Sequence, residues 1–452
     1  MEALEIARWQ FGITTIYHFF FSPLTMGLSV LIAILQTIYY KTGSLDYKRL
    51  TLFFGKLFLI IFAVGVVTGI VLEFQFGMAW SGYSRFVGDI FGIPLAIEAL
   101  MAFFLESTFI AVWFFGWNRI PKGIHLASIW LVAIGSNLSA IWILIANAWM
   151  QFPVGYILTD GRAELASFTE ILLNERMFVM AKHTIIAAFA TGGFFMLGIS
   201  SWNMVRNNQK EIFLKSARIA LVFAAVSSAL LPFTGHNHGQ HTVEHQPMKF
   251  AAMEGLWHTE QPAGMALFAI IDQENMTNTF EIKIPYLLSW LAHGDMNAEV
   301  KGMVELQKIS EAKHGTGDFK PPVWVVFWSF RIMVGLGMLF IMFSFIGIFL
   351  LWRKKLSVSK LFLKLSMVIM FLPLLANAFG WIVAEIGRQP WVVQGLLLTS
   401  EGLSPNVTAG TLLLSTIVFT LLYGILAAVA VYLVCKYAKP GVPDDDKVIH
   451  AY

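Results

Sequence analysis

Nine long apolar stretches leave this chain few folds to choose from. They run over about 12–40, 52–79, 92–117, 124–149, 181–204, 217–235, 323–351, 361–386 and 408–436. A bilayer core of about 30 Å is crossed by roughly 20 apolar residues in a helix. In lipid only helices and closed barrels satisfy every backbone hydrogen bond, and unbroken stretches of this length read as helices. The expected fold is an all-α polytopic membrane protein with nine transmembrane helices. Composition agrees: 57% of the 452 residues are hydrophobic and 13% charged, where a soluble domain carries about 25% charged residues. A net charge of +3 without a basic arm argues against nucleic acid. The single cysteine, Cys435, excludes an intrachain disulfide and a cysteine-held cluster. Glu2, Glu5 and Arg8 precede the first stretch without a basic n-region or cleavage site, so it is expected to be a retained helix. Trp80, Trp117 and Trp149 fall at expected helix ends, where indoles mark membrane interfaces.

Charges between the stretches orient the chain. Lys41, Lys48 and Arg49 follow the first span, Arg119 and Lys122 the third, and Arg206, Lys210 and Lys215 the fifth. Arg353, Lys354, Lys355 and Lys360 follow the seventh, and Lys436, Lys439 and Lys447 the ninth. The intervening short loops are poor in Lys and Arg, with Arg85 after the second span and Arg388 after the eighth. The positive-inside rule then places the N-terminus outside and the C-terminus in the cytoplasm. Four segments follow: spans one to six over 1–235, an outer-face loop over 236–321, spans seven to nine over 322–437, and a tail over 438–452. The tail, with Asp444, Asp445 and Asp446, is expected to be solvated. The loop is too long for a simple connector, and its apolar patches from Met265 to Ile271 and Ile282 to Trp290 predict that it folds onto the membrane surface.

Inside the spans stand His18, Glu73, Glu98, Glu106, His183 and Glu385. A charge near the bilayer centre costs about 3 kcal/mol or more, so each is a functional candidate. Imidazoles and carboxylates bind metal or haem iron and relay protons. His18, among Tyr17, Phe19, Phe20 and Phe21, needs a partner for its ring nitrogens, either iron or a neighbouring helix. His183 and Met333 both belong near the outer face, and histidine with methionine is a low-spin haem pairing; Arg331 could then meet a haem propionate. Glu98 and Glu106, eight residues apart, would sit about 12 Å apart along one helix and within about 80° around it. That spacing suits a vertical proton path, to which Glu73 on the second span and Asn137 and Ser139 on the fourth could add; helix-to-helix hydrogen bonding is the other reading. Glu385 lies in a dense run with Gly387, Arg388, Gln389, Pro390 and Trp391 at an outer boundary. His236, His238, His241 and His245 could bind a transition metal, but their spacing matches no ligand pattern and solvated loop residues are expected. His125 is expected at the interface.

The motifs together resemble subunit I of the cytochrome bd-type quinol oxidases over nearly the whole length. The resemblance rests on Arg8, Gln10, Phe11, Tyr17–Phe19 and Pro23–Thr25, on Glu73–Gly77, Gly88–Gly92 and Ala102–Ser107, and on Gly135–Ser139, Phe330–Met333 and Gly387–Trp391. It implies three haems: a low-spin b held by His183 and Met333, a high-spin b, and a d or a third b. His18 and Glu385 match axial ligands of the high-spin pair, with Glu98 close by and Trp381 packed among the haems. Lys249 and Glu254 match the quinol-binding loop, and Glu106 and Ser139 a proton path from the cytoplasm. The resemblance also implies a second large subunit, a small single-helix subunit, ubiquinol or menaquinol as reductant, and O2 as oxidant. The loop resembles that of the short-loop members, and Gly235–Gly239 departs from a more acidic family stretch. Two other classes were open to a chain of this composition. A coupled transporter would call for an inverted repeat or paired broken helices, neither of which is expected here. A dihaem electron carrier would favour paired histidines over a surplus of carboxylates.

Overall fold

The computed structural model describes residues 2–444. Among them, nine helical segments are long and apolar enough to cross a membrane. The first is α1 (Ala3–His18) and α2 (Ser22–Thr42), the second α3 (Leu45–Met78). The third joins α4 (Ser81–Ile97), a π-helical segment (Glu98–Phe103) and α5 (Phe104–Phe115); the fourth is α6 (Lys122–Gln151). A short α7 (Phe168–Leu172) leads into α8 (Glu175–Val205), and α9 (Lys210–His245) follows as the sixth span. The long connection holds α10 (Pro247–Glu254), α11 (Leu287–His293) and α12 (Met303–His314). Then come α13 (Val323–Trp352), a split eighth span of α14 (Lys360–Ile369) and α15 (Leu372–Ile386), and α16 (Ala409–Ala438).

The helical expectation holds for the spans, and three antiparallel hairpins sit between them. These are β1 (Tyr156–Thr159) with β2 (Arg162–Leu165), β3 (Met265–Asp272) with β4 (Thr277–Ile284), and β5 (Trp391–Val393) with β6 (Leu397–Leu398). The π-helical segment widens the third span between Glu98 and Glu106, so their spacing departs from that of a regular α-helix.

Two spans break where a continuous helix was expected. α1 stops at His18, a tight turn passes through Phe19–Phe21, and α2 restarts with Pro23 in its first turn. α14 stops at Ile369 and α15 restarts with Pro373 in its first turn. Proline lacks an N–H and suits the first turn of a helix, so each site ends one helix and begins the next. The expected absence of broken helices is thereby corrected.

The His236–His245 run is corrected too: it is helical, because α9 continues to His245 and stops only before Pro247. Trp80, Trp117 and Trp149 lie at helix ends and are buried among the helices. His125 is also buried, with Nδ1 on Gln36 at 2.8 Å and Nε2 on the Trp113 carbonyl at 2.7 Å. The start of the tail is anchored, the Pro443 carbonyl accepting from Arg49 Nε at 2.7 Å. Asp445, Asp446 and Lys447 lie outside the described residues.

Without a hydrophobic drive in lipid, helices associate where small residues let backbones touch. At the crossing of α2 and α8, a Cβ on Gly27 would stand 2.1 Å from the Ala188 carbonyl oxygen, and one on Gly192 2.5 Å from the Gly27 carbonyl carbon. Overpacking a core costs about 1–3 kcal/mol, and here the obstacle is backbone rather than a movable side chain. Gly27→Val and Gly192→Val are therefore expected to lower the thermal unfolding midpoint of the detergent-solubilised protein. Gly335→Ala, where nothing lies within 4 Å of the new Cβ, is expected to leave it unchanged.

Candidate functional site

One cavity of about 1500 Å³ runs among the spans. A drug-sized ligand site is roughly 300–1000 Å³, so this space exceeds one such ligand. His18, Glu73, Glu98, Glu106, Ser139, His183, Lys249, Glu254, Met333, Trp381, Glu385 and Arg388 all line it. The structure thus gathers from seven spans and the long connection nearly every candidate residue read from the sequence. Arg331 stands behind the wall, its Nη2 on Glu254 at 2.6 Å and its Nε on the Ala266 carbonyl at 2.7 Å.

The two histidines are held alike. His18 Nδ1 lies 2.9 Å from Thr68 Oγ1, and His183 Nδ1 lies 3.0 Å from Thr234 Oγ1. Each threonine hydroxyl also donates to a carbonyl one turn back in its own helix, Thr68 to Val64 at 2.9 Å and Thr234 to Leu230 at 3.3 Å. A hydroxyl has one proton. With that proton committed, each threonine oxygen accepts from Nδ1–H, and each neutral ring keeps a bare lone pair on Nε2. A ring fixed through its other nitrogen is the usual arrangement of a metal-binding histidine.

Glycines leave room beside these groups. A Cβ on Gly69 would stand 3.2 Å from the His18 ring, one on Gly235 3.5 Å from the His183 ring, and one on Gly380 3.0 Å from Met333 Sδ. The three donors therefore keep one close face without side-chain cover.

Glu98 and Glu385 are each tied to neighbouring side chains. Glu98 Oε1 accepts from Ser139 Oγ at 2.5 Å, joining the third and fourth spans. Glu106 is buried beside Gly135, while Glu73 is exposed on its own helix surface. Asn137 gives its amide to the Ala133 carbonyl on its own helix, so its donor does not extend the path. Glu385 Oε1 accepts from Asn147 Nδ2 at 2.9 Å, and its Oε2 from Arg388 Nη2.

At the electropositive end of the cavity, Lys249 and Arg388 were read from the sequence and Arg176 was not. Arg176, buried at the start of α8, donates to Gln151 Oε1 at 2.9 Å, Gln246 Oε1 at 3.3 Å and Thr242 Oγ1 at 3.0 Å. Lys249 donates to the same two glutamines, at 2.9 and 2.8 Å. Burial, with Arg176 and Arg388 nearby, holds the Lys249 ammonium well below the ordinary lysine range, and Glu385 only partly offsets this. Arg176 Nε, Arg388 Nε and Nη1, and Arg331 Nη1 are buried without a hydrogen-bond partner. Buried cation donors left open are costly unless an anion meets them, so this end suits the carboxylates of a cofactor edge. The one sequence signal for Arg176 was its place just before a long span, on a connection taken as poor in Lys and Arg.

The histidine run divides. His241, His245 and Glu175 hold ligating atoms within 4.8 Å of one another. His241 Nδ1, however, faces Arg176 Nη1 at 3.3 Å. Guanidinium only donates, so Nδ1 accepts, the ring proton sits on Nε2, and no lone pair is left for a metal ion.

The pattern of the family described as cytochrome bd terminal oxidase subunit I matches residues 6–442. The chain is 47% identical over 447 residues to "Cytochrome bd ubiquinol oxidase subunit 1" of Bacillus subtilis (strain 168), covering 99% of this chain and 96% of that one. It is 40% identical over 499 residues to "Cytochrome bd-II ubiquinol oxidase subunit 1" of Escherichia coli (strain K12), covering 97% of each. The solved structure of bd oxidase from Geobacillus thermodenitrificans superposes with a TM-score of 0.89 at 26% identity, covering 97% of this chain and 99% of that one. The chain belongs to the cytochrome bd terminal oxidase subunit I family and is a multi-pass haem protein of the bacterial cytoplasmic membrane.

Proposed function

We propose that this chain is the haem-bearing subunit of a quinol:oxygen oxidoreductase. It oxidises quinol at the outer membrane face and supports reduction of O2 to water. The reading is carried by two threonine-fixed histidines, His18 and His183, offering bare Nε2 atoms to one large cavity. His183 with Met333 fits a low-spin haem b, a pairing that raises reduction potential. His18 and Glu385 would hold a high-spin haem b and a haem d or third haem b, with Glu98 and Trp381 beside them. An ionised carboxylate has about four lone-pair sites, so Glu385 keeps capacity beyond Asn147 and Arg388. The open N–H groups of Arg176 and Arg388, which line the cavity, fit the propionates. Bound there, the haems supply electron transfer and oxygen chemistry, while the protein supplies ligands, spacing and proton access.

Lys249 and Glu254 stand at the cavity's electropositive end and fit a quinol, ubiquinol or menaquinol; the Bacillus subtilis and Escherichia coli relatives are named for ubiquinol. The Glu254 carboxylate can take a proton from a quinol hydroxyl as it is oxidised. Glu106, Ser139 and Glu98, with Glu73 on the facing span, hold and pass protons drawn from the cytoplasmic side. Protons released outside and taken up inside separate charge across the membrane without a pump. The charge pattern of the connections supports this sidedness, with the N-terminus outside, the connection over 246–321 on the outer face and the tail in the cytoplasm. The outward apolar side of α16, including Leu414, Leu421 and Ile425, fits lipid or partner helices. The partners are a second large subunit and a small single-helix subunit.

Three outcomes follow. His183→Ala removes the low-spin haem band from the dithionite-reduced minus oxidised spectrum while the chain stays in the membrane; an unchanged spectrum refutes the ligand assignment. Glu106→Gln slows oxygen consumption more than it lowers haem content, and normal turnover would remove Glu106 from the proton path. Glu254→Gln raises the KM for quinol with the haem spectrum intact. Oxygen consumption driven by a small reductant that bypasses the quinol site should stay normal in that variant, and a parallel loss would mean the substitution damages more than the quinol site.

A further inference from the structure

The β3–β4 hairpin carries an apolar face that none of the described residues of this chain covers. Its register pairs Phe268 with Ile282, Ile270 with Phe280 and Met265 with Ile284 across the strands. Phe268, Ile270, Phe280, Ile282 and Ile284 are each 38–53% exposed. The opposite face is satisfied: Ala266 and Ala269 are buried against Phe327, and Lys283 pairs with Glu260 at 2.7 Å and Glu281 at 2.9 Å. An apolar sheet face of this size on one side of a water-exposed hairpin would invite association.

Its place along α13 identifies what covers it. Phe268 meets the Trp328 ring edge-on, centroids 5.1 Å apart. Trp328 stands one turn from Trp324 and one turn from Ile332, both exposed, on the outward stripe that continues through Met342 and Phe349. The hairpin face is thus continuous with the outward side of a membrane-spanning helix. α13 has 30 residues and so is about 45 Å long. That matches a bilayer including headgroups, about 40–45 Å, and exceeds its hydrocarbon core by about 15 Å. With Arg353 closing the opposite end, the first turns of α13 fall in the headgroup layer, where tryptophans gather. The hairpin packs beside those turns.

We propose that the β3–β4 face seats in the headgroup layer of the bilayer and that this seating positions the Glu254 site. The link is direct: Arg331 donates to the β3 carbonyl of Ala266 and to Glu254. A lipid-soluble substrate then reaches Glu254 sideways from the membrane, a part that rests on the quinol reading, whereas the seating itself does not.

The test uses the whole oxidase complex in phospholipid vesicles. Cys435, the single cysteine, is first replaced by serine, and a nitroxide is attached at Ile282→Cys, with Phe280→Cys as a second variant and Asp295→Cys as aqueous reference. Seating in lipid gives relaxation by O2 over relaxation by a water-soluble nickel chelate several-fold above the reference. A ratio equal to the reference means water covers the face, and protection from both agents means a protein partner does; either overturns the proposal. With seating established, Ile282→Asp is expected to raise the KM for quinol several-fold with kcat and haem spectrum unchanged. An unchanged KM would overturn the positional link while leaving the Glu254→Gln outcome to judge the quinol reading separately.

Discussion

A threonine hydroxyl has one proton, and on a helix that proton commonly goes to the carbonyl one turn back. This small constraint decides what the cavity can hold. Thr68 and Thr234 spend their protons on α3 and α9, so His18 and His183 must carry theirs on Nδ1 and leave Nε2 bare. The state does not depend on water, which would scramble the two tautomers at a surface. It depends on the packing of α1 against α3 and of α8 against α9, which brings each hydroxyl to its ring. His241 is the internal contrast: the same residue type carries its proton on Nε2 because of the guanidinium it faces. Residue type alone does not distinguish these histidines; the neighbour's hydrogen-bonding capacity does.

What the sequence made legible is what depends on runs of residues. Length and apolarity gave the nine spans, since a bilayer fixes both, and polar side chains within those runs marked most of the cavity wall. What it concealed depends on single residues and on contacts between distant segments. Pro23 and Pro373 each stand inside a long apolar stretch that was expected to be one continuous helix, and each restarts a helix. The polar composition of His236–His245 read as loop. A helix emerging from lipid can turn polar without ending, and α9 does so until Pro247. Arg176 escaped notice because its meaning lies in Gln151, Gln246 and Thr242, which come from other parts of the chain.

The helix breaks bear on the choice between classes. Broken spans are a mark of coupled transporters, where opposed half-helix ends hold ions at the midplane. Here the first break puts His18 on the last residue of α1, beside the turn through Phe19–Phe21. The third span is widened by a π-helical segment that begins at Glu98, and π-segments recur at functional sites. In both cases the irregularity places a donor side chain on a large cavity rather than lining a narrow ion pathway with backbone carbonyls. The same local feature thus serves a different end, and the volume beside it separates the two.

Charge balance makes the same point from the other end of the cavity. Glu385 is the carboxylate whose charge reaches Arg176, Lys249 and Arg388, and the other hydrogen-bond partners of the three are amides, a hydroxyl and the His241 ring. Three cations against one anion in a low-dielectric space would repel, and losing one partner of a buried pair typically costs about 3–5 kcal/mol. Depressing Lys249 relieves part of the repulsion, but an arginine cannot give up its proton. The guanidinium N–H groups left open therefore call for an anion that the described residues do not supply. Glutamine acceptors at 151 and 246 keep the cations in place without neutralising them, so the site is held in register for negative charge to arrive.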